Sequence, residues 1–207
     1  MEENEIKQKY ELHFNEMKKI LNEIENQLKT ALSFDDTIHI DHLSTRIKTV
    51  SSFTKKAIKE QNGVRKYDDP FTEIEDQIGV RIIVFYLEDE KKVASAISSY
   101  FRTIEDNDFQ PKNFDEFAYQ GQHFICNITD DMIKDDVNKN LIPNFFEIQI
   151  KTLFQHAWAQ AEHDLGYKQG QPLSFEEKRK LAFAAAQSWG ADTIFNEIYL
   201  SINRNEK

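Results

Sequence analysis

Residues 79–87 read GVRIIVFYL, a continuous apolar run that is rich in β-branched side chains. Such a run predicts a strand buried on both faces of a sheet, because a strand with one wet face would alternate apolar and polar residues. Helical patterns precede and follow it, so helices are available to cover the sheet. We therefore predict an α/β or α+β domain, in which this central strand belongs to a mixed sheet of about five strands flanked by helices.

The remaining elements are predicted from the spacing of apolar residues and from capping and turn signals. Helices are expected at residues 3–31, 41–61 and 89–101 and after the capping-box residue Ser174, and strands at 103–109, 123–129 and 145–151. The chain has 207 residues, 40% of them hydrophobic, which suffices for one core. We expect an N-terminal helical extension at 1–38, a central domain at 39–170 and a C-terminal helix at 171–207.

Composition excludes several classes of protein. No apolar run approaches the ~20 residues of a membrane span, and the first residues are too charged for a secretory signal, so we expect a soluble, cytoplasmic protein with no membrane partner. Cys126 is the single cysteine, which rules out an intrachain disulfide and favours a core position. The net charge of −10 argues against a general surface for nucleic acid or anionic lipid.

One stretch opposes this overall acidity. From Arg46 to Lys66 there are seven basic residues and a single acidic one, Glu60. On the helix expected there, four side chains would share a face: Lys48, Ser52, Lys56 and Lys59. Such a face suits a small, phosphate-rich ligand, and a solvated basic surface is an equally good interpretation of this feature alone.

Residues 145–168 change periodicity from a strand to a helix. The alternation in FFEIQIK puts three polar side chains on one face, namely Glu147, Gln149 and Lys151. A half-exposed edge strand would show the same pattern. In the helix, His156 and His163 are seven residues apart, about 10.5 Å along the axis, which is too far for one zinc ion. The segment AEHDL also lacks the HExxH spacing of zinc proteases.

Two carboxylates from distant segments are candidate ligands of Mg²⁺. Asp76 directly precedes the buried run, and strand ends in α/β sheets commonly hold ligands. A turn or capping aspartate is the other interpretation. Together with Glu147 it could bind Mg²⁺, which prefers one or two protein carboxylates plus substrate phosphates.

The segment AYQGQHF offers a further binding group. Tyr119 and His123 are four residues apart, so both could face the same way in an extended segment. A tyrosine next to Gly121 in a loop presents a ring on which a nucleobase could stack. The alternative is a packed tyrosine and a histidine that satisfies a backbone group.

Four segments, in this order, resemble the synthetase domain of the RelA/SpoT family, which makes the alarmones ppGpp and pppGpp. They are RIKTVSSFTKK, DQIGVRIIV, YQGQH and EIQIKTLFQHAWAQAEHDLGYK, and the resemblance covers about residues 40–170. It implies a nucleotidyltransferase-like synthetase fold with helical extensions and without the family's hydrolase half. It also implies transfer of the β,γ-pyrophosphate of ATP to the ribose 3′-hydroxyl of GDP or GTP, with release of AMP.

The resemblance assigns roles on the donor side of this reaction. Arg46 and Arg81 would sandwich the adenine of ATP, as planar guanidinium groups can. Lys48, Ser52 and Lys56 would hold the ATP phosphates. These roles would explain why an acidic protein carries a basic stretch at residues 46–66.

It also assigns roles to the reacting groups and the acceptor. Asp76 and Glu147 would be catalytic and would bind Mg²⁺, with Glu147 as the base for the 3′-hydroxyl. Tyr119 would stack on the guanine of the acceptor, and His123 and Gln149 would line the acceptor side. The helix that carries His156, Trp158 and His163 would serve mainly as a scaffold.

The chain departs from the family pattern at three positions. Ala118 and Gly121 replace a glycine and a serine of the acceptor segment, and Lys151 stands where arginine is usual. Two alternatives stay open within the family: pyrophosphorylation of the 3′ end of tRNA, and a non-catalytic nucleotide sensor. The acidic net charge counts against tRNA, apart from a local patch at Arg65 and Lys66. A homo-oligomer is possible.

Overall fold

The computed structural model of the chain describes residues 1–108, 117, 119, 121–168 and 173–204. The helices are α1 Glu3–Leu32, α2 Val50–Ala57, α3 Pro70–Glu73, α4 Leu87–Tyr100, α5 Leu153–Lys168 and α6 Phe175–Arg204. The strands are β1 Ile40–Ile47, β2 Glu60–Gln61, β3 Val64–Arg65, β4 Ile78–Val84, β5 Thr103–Asp108, β6 Gln122–Asn127 and β7 Phe145–Thr152. Short 3-10 turns lie at Glu75–Gln77, Asp130–Met132 and Lys139–Leu141.

Five strands form one mixed sheet in the order β1-β4-β7-β6-β5. Strands β4 and β7 are parallel, and the other neighbours are antiparallel. The predicted mixed sheet of about five strands is therefore confirmed. The buried run becomes β4, which lies between β1 and β7, while β7 takes the middle position.

The two faces of the sheet differ in polarity. One face packs on α1 and α4 through side chains of β4 and β7 that are fully or almost fully buried: Ile78, Val80, Ile82, Val84, Phe146, Ile148 and Ile150. Because successive side chains of a strand point to opposite faces, the residues between them lie on the other side. That second face carries the polar residues of β4 and β7, and α5 packs on part of it. The functional residues are therefore presented by a rigid sheet.

The prediction of a helix over residues 41–61 was wrong. The segment divides into the edge strand β1, the helix α2 of eight residues, and β2. Strand β1 pairs with β4, and a register shift between Ile40 and His42 interrupts its alternation. That irregularity, on a half-exposed edge strand, hides the period of two that would have identified a strand. Thr49 then starts α2 by accepting a hydrogen bond from the Ser52 amide.

Two other predictions about the framework are confirmed, namely the capping box of α6 and the core position of the cysteine. Ser174 and Glu177 form the capping box that begins α6, with the Ser174 amide donating to the Glu177 carboxylate at 2.7 Å. Cys126 is buried in the core, and this burial raises the pKa of its thiol to about 12. Among the described residues, no helix is long and apolar enough to cross a membrane.

Candidate active site

The strand registers bring the predicted residues of three strands together. Arg46 of β1 pairs with Gly79 of β4, and Gly79 pairs with Glu147 of β7. Arg81 pairs with Gln149, which in turn pairs with His123 of β6. These side chains occupy neighbouring positions on the polar face, so residues that lie up to about a hundred positions apart in the sequence form one site.

Asp76 lies at the centre of the basic part of this site. Its two carboxylate oxygens accept hydrogen bonds from Lys48 at 2.6 Å and from Lys56 at 2.9 Å. Burial raises the pKa of Asp76, but the two lysines outweigh it and hold the pKa below its ordinary value. Burial alone would lower the pKa of Lys56, but the Asp76 carboxylate outweighs it and holds the pKa above its ordinary value. The three groups are therefore a charged cluster at neutral pH.

Glu147 is held by different partners. Its carboxylate lies 3.1 Å from Nδ1 of His123 and accepts a hydrogen bond from the Gln149 amide at 2.9 Å. Burial raises the pKa of Glu147, yet these partners bring it below its ordinary value, while the nearby charge of Asp76 opposes them. Glu147 is therefore an ionised, oriented carboxylate within electrostatic reach of Asp76.

Two further cations, Arg81 and Lys151, face the site. Arg81 is half-buried, and its Nε has no hydrogen-bond partner among the described residues. Burial and the neighbouring Arg46 lower the pKa of Arg81. Lys151 is 6% exposed, and burial together with Arg81 lowers its pKa to about 8. A cluster of like charges with an unused donor fits an anionic or planar ligand.

Two cavities open over these residues. The first, of about 430 Å³, is lined by Lys48, Ser52, Lys55, Lys56, Lys59, Lys66, Tyr67 and His163. The second, of about 260 Å³, is lined by Arg46, Arg81, Gln149, Lys151, His156, Ala159, Gln160, Glu162 and His163. His163 borders both, so the lysine cavity and the arginine cavity adjoin. The four side chains predicted to share a helix face do meet in the lysine cavity, although Lys48 precedes α2.

Tyr119 is placed away from these cavities. Its hydroxyl donates a hydrogen bond to Asp192 of α6 at 2.6 Å, and burial followed by that carboxylate raises the pKa of the phenol. Gly121 packs against the end of β7, whereas Ala118 lies outside the described residues. Tyr119 thus contacts α6, whereas His123 and Gln149 lie on the strands β6 and β7 of the sheet.

Several residues of the site were not predicted as ligands. Tyr67 in the lysine cavity and Gln160 in the arginine cavity carry no sequence signal, because their positions depend on how the chain returns to the sheet. Asp192 was also missed, since one acidic residue in a long helix looks like a solvated side chain. His163 was expected to be scaffold, and the structure places it at the boundary of the two cavities. Trp158 does act as scaffold, because its indole donates to the Leu181 carbonyl.

The number and chemistry of the donor groups decide which metal ion the two carboxylates could bind. Among the described residues, no group of three or more His, Cys, Asp or Glu side chains could hold a metal ion. Such a group is needed for a transition metal or a closed protein cage. Mg²⁺ instead takes one or two carboxylates and completes its shell with water and substrate phosphates. Asp76 and Glu147 fit that requirement.

Comparison with known proteins finds relatives of this chain. Residues 45–172 match the family model described as a region found in RelA/SpoT proteins. GTP pyrophosphokinase YjbM of Bacillus subtilis is 27% identical over 169 residues, covering 79% of this chain and 74% of its own length.

Solved structures share the fold. Small alarmone synthetase 1 from Bacillus subtilis superposes with a TM-score of 0.74 at 22% identity, covering 95% of this chain and 98% of that one. The same synthetase bound to its product pppGpp gives a TM-score of 0.71 at 21% identity, with 95% and 99% coverage. The predicted fold class is confirmed by this likeness. Since the matched region makes up more than half of its residues, the chain belongs to the RelA/SpoT family.

Proposed function

We propose that the chain is a GTP pyrophosphokinase, which transfers the β,γ-pyrophosphate of ATP to the 3′-hydroxyl of GDP or GTP and releases AMP. One observation carries the proposal: Asp76, held by two lysines in the turn before β4, lies within electrostatic reach of Glu147 of β7, whose carboxylate contacts His123. Family membership and the pppGpp complex of a protein with the same fold support it.

The donor would occupy the two adjoining cavities. The lysine cavity supplies Lys48, Ser52 and Lys56 for the phosphates, and its five lysines offset the charge of a nucleoside triphosphate. Arg46 and Arg81 border the arginine cavity, where their planar groups suit the two faces of adenine. The unpartnered Nε of Arg81 supports this placement, because a bound nucleotide can supply its missing acceptor.

The chemical step needs a base for the acceptor hydroxyl. Glu147 takes the proton of the 3′-hydroxyl, whose oxygen forms a bond to the β-phosphorus of ATP. The bond from that phosphorus to the oxygen bridging the α- and β-phosphates breaks, and AMP leaves with the bridging oxygen. His123 and Gln149 keep the Glu147 carboxylate in one orientation, which favours proton transfer along one direction.

Asp76 has a second role in this proposal. Its carboxylate and that of Glu147 would hold Mg²⁺, which neutralises charge on the transferred phosphates when it is bound. Lys48 and Lys56 then exchange part of their contact with Asp76 for contact with phosphate oxygens. The acceptor guanine would stack on Tyr119, with His123 and Gln149 on the same side.

The test is transfer of label. Purified protein is incubated with Mg²⁺, ATP labelled in its β- and γ-phosphates, and one of GDP, GTP, GMP or deacylated tRNA. We expect label on GDP or GTP, together with AMP. Labelled tRNA without labelled GDP or GTP, and with a steep dependence on salt, would reassign the acceptor. ADP or free phosphate as the main product would contradict pyrophosphoryl transfer altogether.

A further inference from the structure

Asp192 differs from the rest of its helix. Most described side chains of α6 are partly or fully exposed, and the buried ones are Ala185 and Asp192, of which Asp192 is 1% exposed. Burying a carboxylate costs free energy unless hydrogen bonds replace its water. Helix α6 also lies beyond residues 45–172, the region shared with the family. Asp192 is therefore a buried carboxylate outside the region that matches the family.

Two hydroxyl groups offset part of the cost of this burial. Tyr119 donates to Oδ2 of Asp192 at 2.6 Å, and Thr152 at the end of β7 donates to the same oxygen at 2.5 Å. Burial raises the pKa of Asp192, and both hydroxyl donors counteract that rise. Hydrogen bonds from neutral donors to a carboxylate are stronger than those between neutral groups. Asp192 therefore connects Tyr119 to the end of strand β7.

A second contact fixes the same segment two residues later. Gly121 has φ +81, and a Cβ atom there would lie 2.4 Å from the Ile150 carbonyl oxygen and 2.9 Å from the Gln155 side chain. Only glycine allows so close an approach of the backbone to β7 in this conformation. A residue with a Cβ atom does not fit at this position without a shift of the backbone. Tyr119 and Gly121 thus hold the segment at two points against the end of β7.

We propose that Asp192 is a positioning residue for the acceptor site, holding Tyr119 through its hydroxyl so that the ring is ready to receive the guanine base. This inference rests on the proposed function, because it gives Tyr119 an acceptor to bind. Asp192 itself touches no substrate. Helix α6 then contributes to acceptor affinity, and the hydroxyl of Tyr119 contributes as well as its ring.

The experiment compares Tyr119→Phe, Asp192→Ala and the double variant. Tyr119→Phe keeps the stacking ring and removes only the hydroxyl, which contacts Asp192 and Gln155, so it remains informative even if Asp192→Ala fails to fold. We expect the KM for GDP to rise about tenfold in each single variant, the scale of a hydrogen bond to a charged group. The KM for ATP and kcat should change less than about twofold, and the double variant should resemble the single ones.

Asn196→Ala is the matched control. Asn196 accepts a hydrogen bond from the Glu88 amide, so the variant also removes a contact that docks α6, but one that does not involve Tyr119. Its KM for GDP should stay at the wild-type value. An equal rise in Asn196→Ala would show that α6 docking in general is responsible, and would overturn the proposal.

The failure of this inference can be distinguished from failure of the proposed function. Wild-type protein that forms no AMP with any acceptor contradicts the function. Active wild-type protein whose GDP KM is unchanged in Tyr119→Phe contradicts the role of Asp192. Amide hydrogen exchange gives a readout that needs no nucleotide: the peptide containing Tyr119 and Gly121 should exchange faster in Tyr119→Phe and Asp192→Ala, and an unchanged rate would overturn the proposal.

Discussion

The surroundings of Asp76 and Glu147 differ in the charge of the groups that hold each carboxylate. Asp76 is clamped by two lysines, at 2.6 and 2.9 Å. Glu147 contacts a histidine at 3.1 Å and an amide at 2.9 Å. Both carboxylates have pKa values below the ordinary range, so both are ionised at neutral pH, but for different reasons.

Because their surroundings differ, the two carboxylates are suited to different roles. A carboxylate between permanent cations is suited to fixing charge, because lysine ammonium groups can move from the carboxylate to a bound phosphate. A carboxylate held by an imidazole and an amide is fixed in one orientation without being clamped between two permanent cations, which suits it to take a proton. We therefore assign phosphate and metal binding mainly to the Asp76 region and proton transfer to the Glu147 region.

Glu147→Gln should have the largest effect. The substitution keeps the shape of the side chain but removes the base and one metal-binding charge, so kcat should fall at least ~100-fold, the usual value of general-base assistance. Binding of ATP in the Asp76 region should persist, which calorimetry can measure. A kcat near the wild-type value would reassign Glu147 to a structural role.

Arg81→Ala and Tyr119→Ala should separate donor from acceptor. Loss of the Tyr119 ring should raise the acceptor KM by an amount equivalent to about 1–3 kcal/mol, the value of a base stacked on an aromatic ring, with little change for ATP. Arg81→Ala should raise the ATP KM instead, because its guanidinium is assigned to adenine. Steady-state kinetics with the other substrate saturating measures both, and equal effects on both substrates would contradict the division.

Lys56→Met tests the charge of the Asp76 region. The variant keeps an unbranched side chain but removes the ammonium group, so the ATP KM should rise about tenfold, as expected for a lost charge-assisted hydrogen bond. Lys59→Met is the control, because Lys59 lines the same cavity and the ion pairs of Asp76 are made by Lys48 and Lys56. An equal rise in the two variants would show that only the overall charge of the cavity matters.

Lys151 should give the smallest effect, visible as a pH dependence. Its pKa is lowered to about 8, so the ammonium group is charged below that pH and loses its proton as the pH rises through it. The ATP KM should then rise about threefold between about pH 7 and 9, because one cation facing the site is lost. Lys151→Arg should abolish this rise, since arginine stays protonated. The same pH dependence of the ATP KM in the wild type and in Lys151→Arg would contradict the assignment to Lys151.

The sheet was predictable where side chains obey a simple period. Strand β4 was identified by an unbroken apolar run, and the functional face of β7 by alternation of polar residues with isoleucine. Strand β1 was not, because a register shift on an exposed edge hides its period. Even so, Lys48 and Lys56 were expected to lie close together. The predicted helix placed them on one face, and in the structure the loop after β1 and helix α2 bring both to Asp76.

Contacts made by tertiary packing alone were beyond prediction. The hydrogen bond from Tyr119 to Asp192 joins residues 73 positions apart, and no local pattern marks either as a partner. The need for glycine at position 121 became visible only with its φ of +81 and the nearby Ile150 carbonyl. The roles of all the site residues stay predictions. Those of Arg46, Arg81 and Ser52 are supported by the cavities that these residues line.

The central claim is that a pyrophosphoryl group passes from ATP to a ribose 3′-hydroxyl, and the most direct test is the stoichiometry of products with two acceptors. With GDP, wild-type protein should form one AMP for each GDP consumed, and the product should carry two additional phosphates. With 3′-deoxyguanosine diphosphate, which lacks the reacting hydroxyl, no AMP should form above the level without acceptor. AMP formation at the same rate with both acceptors, or ADP in place of AMP, would contradict the account.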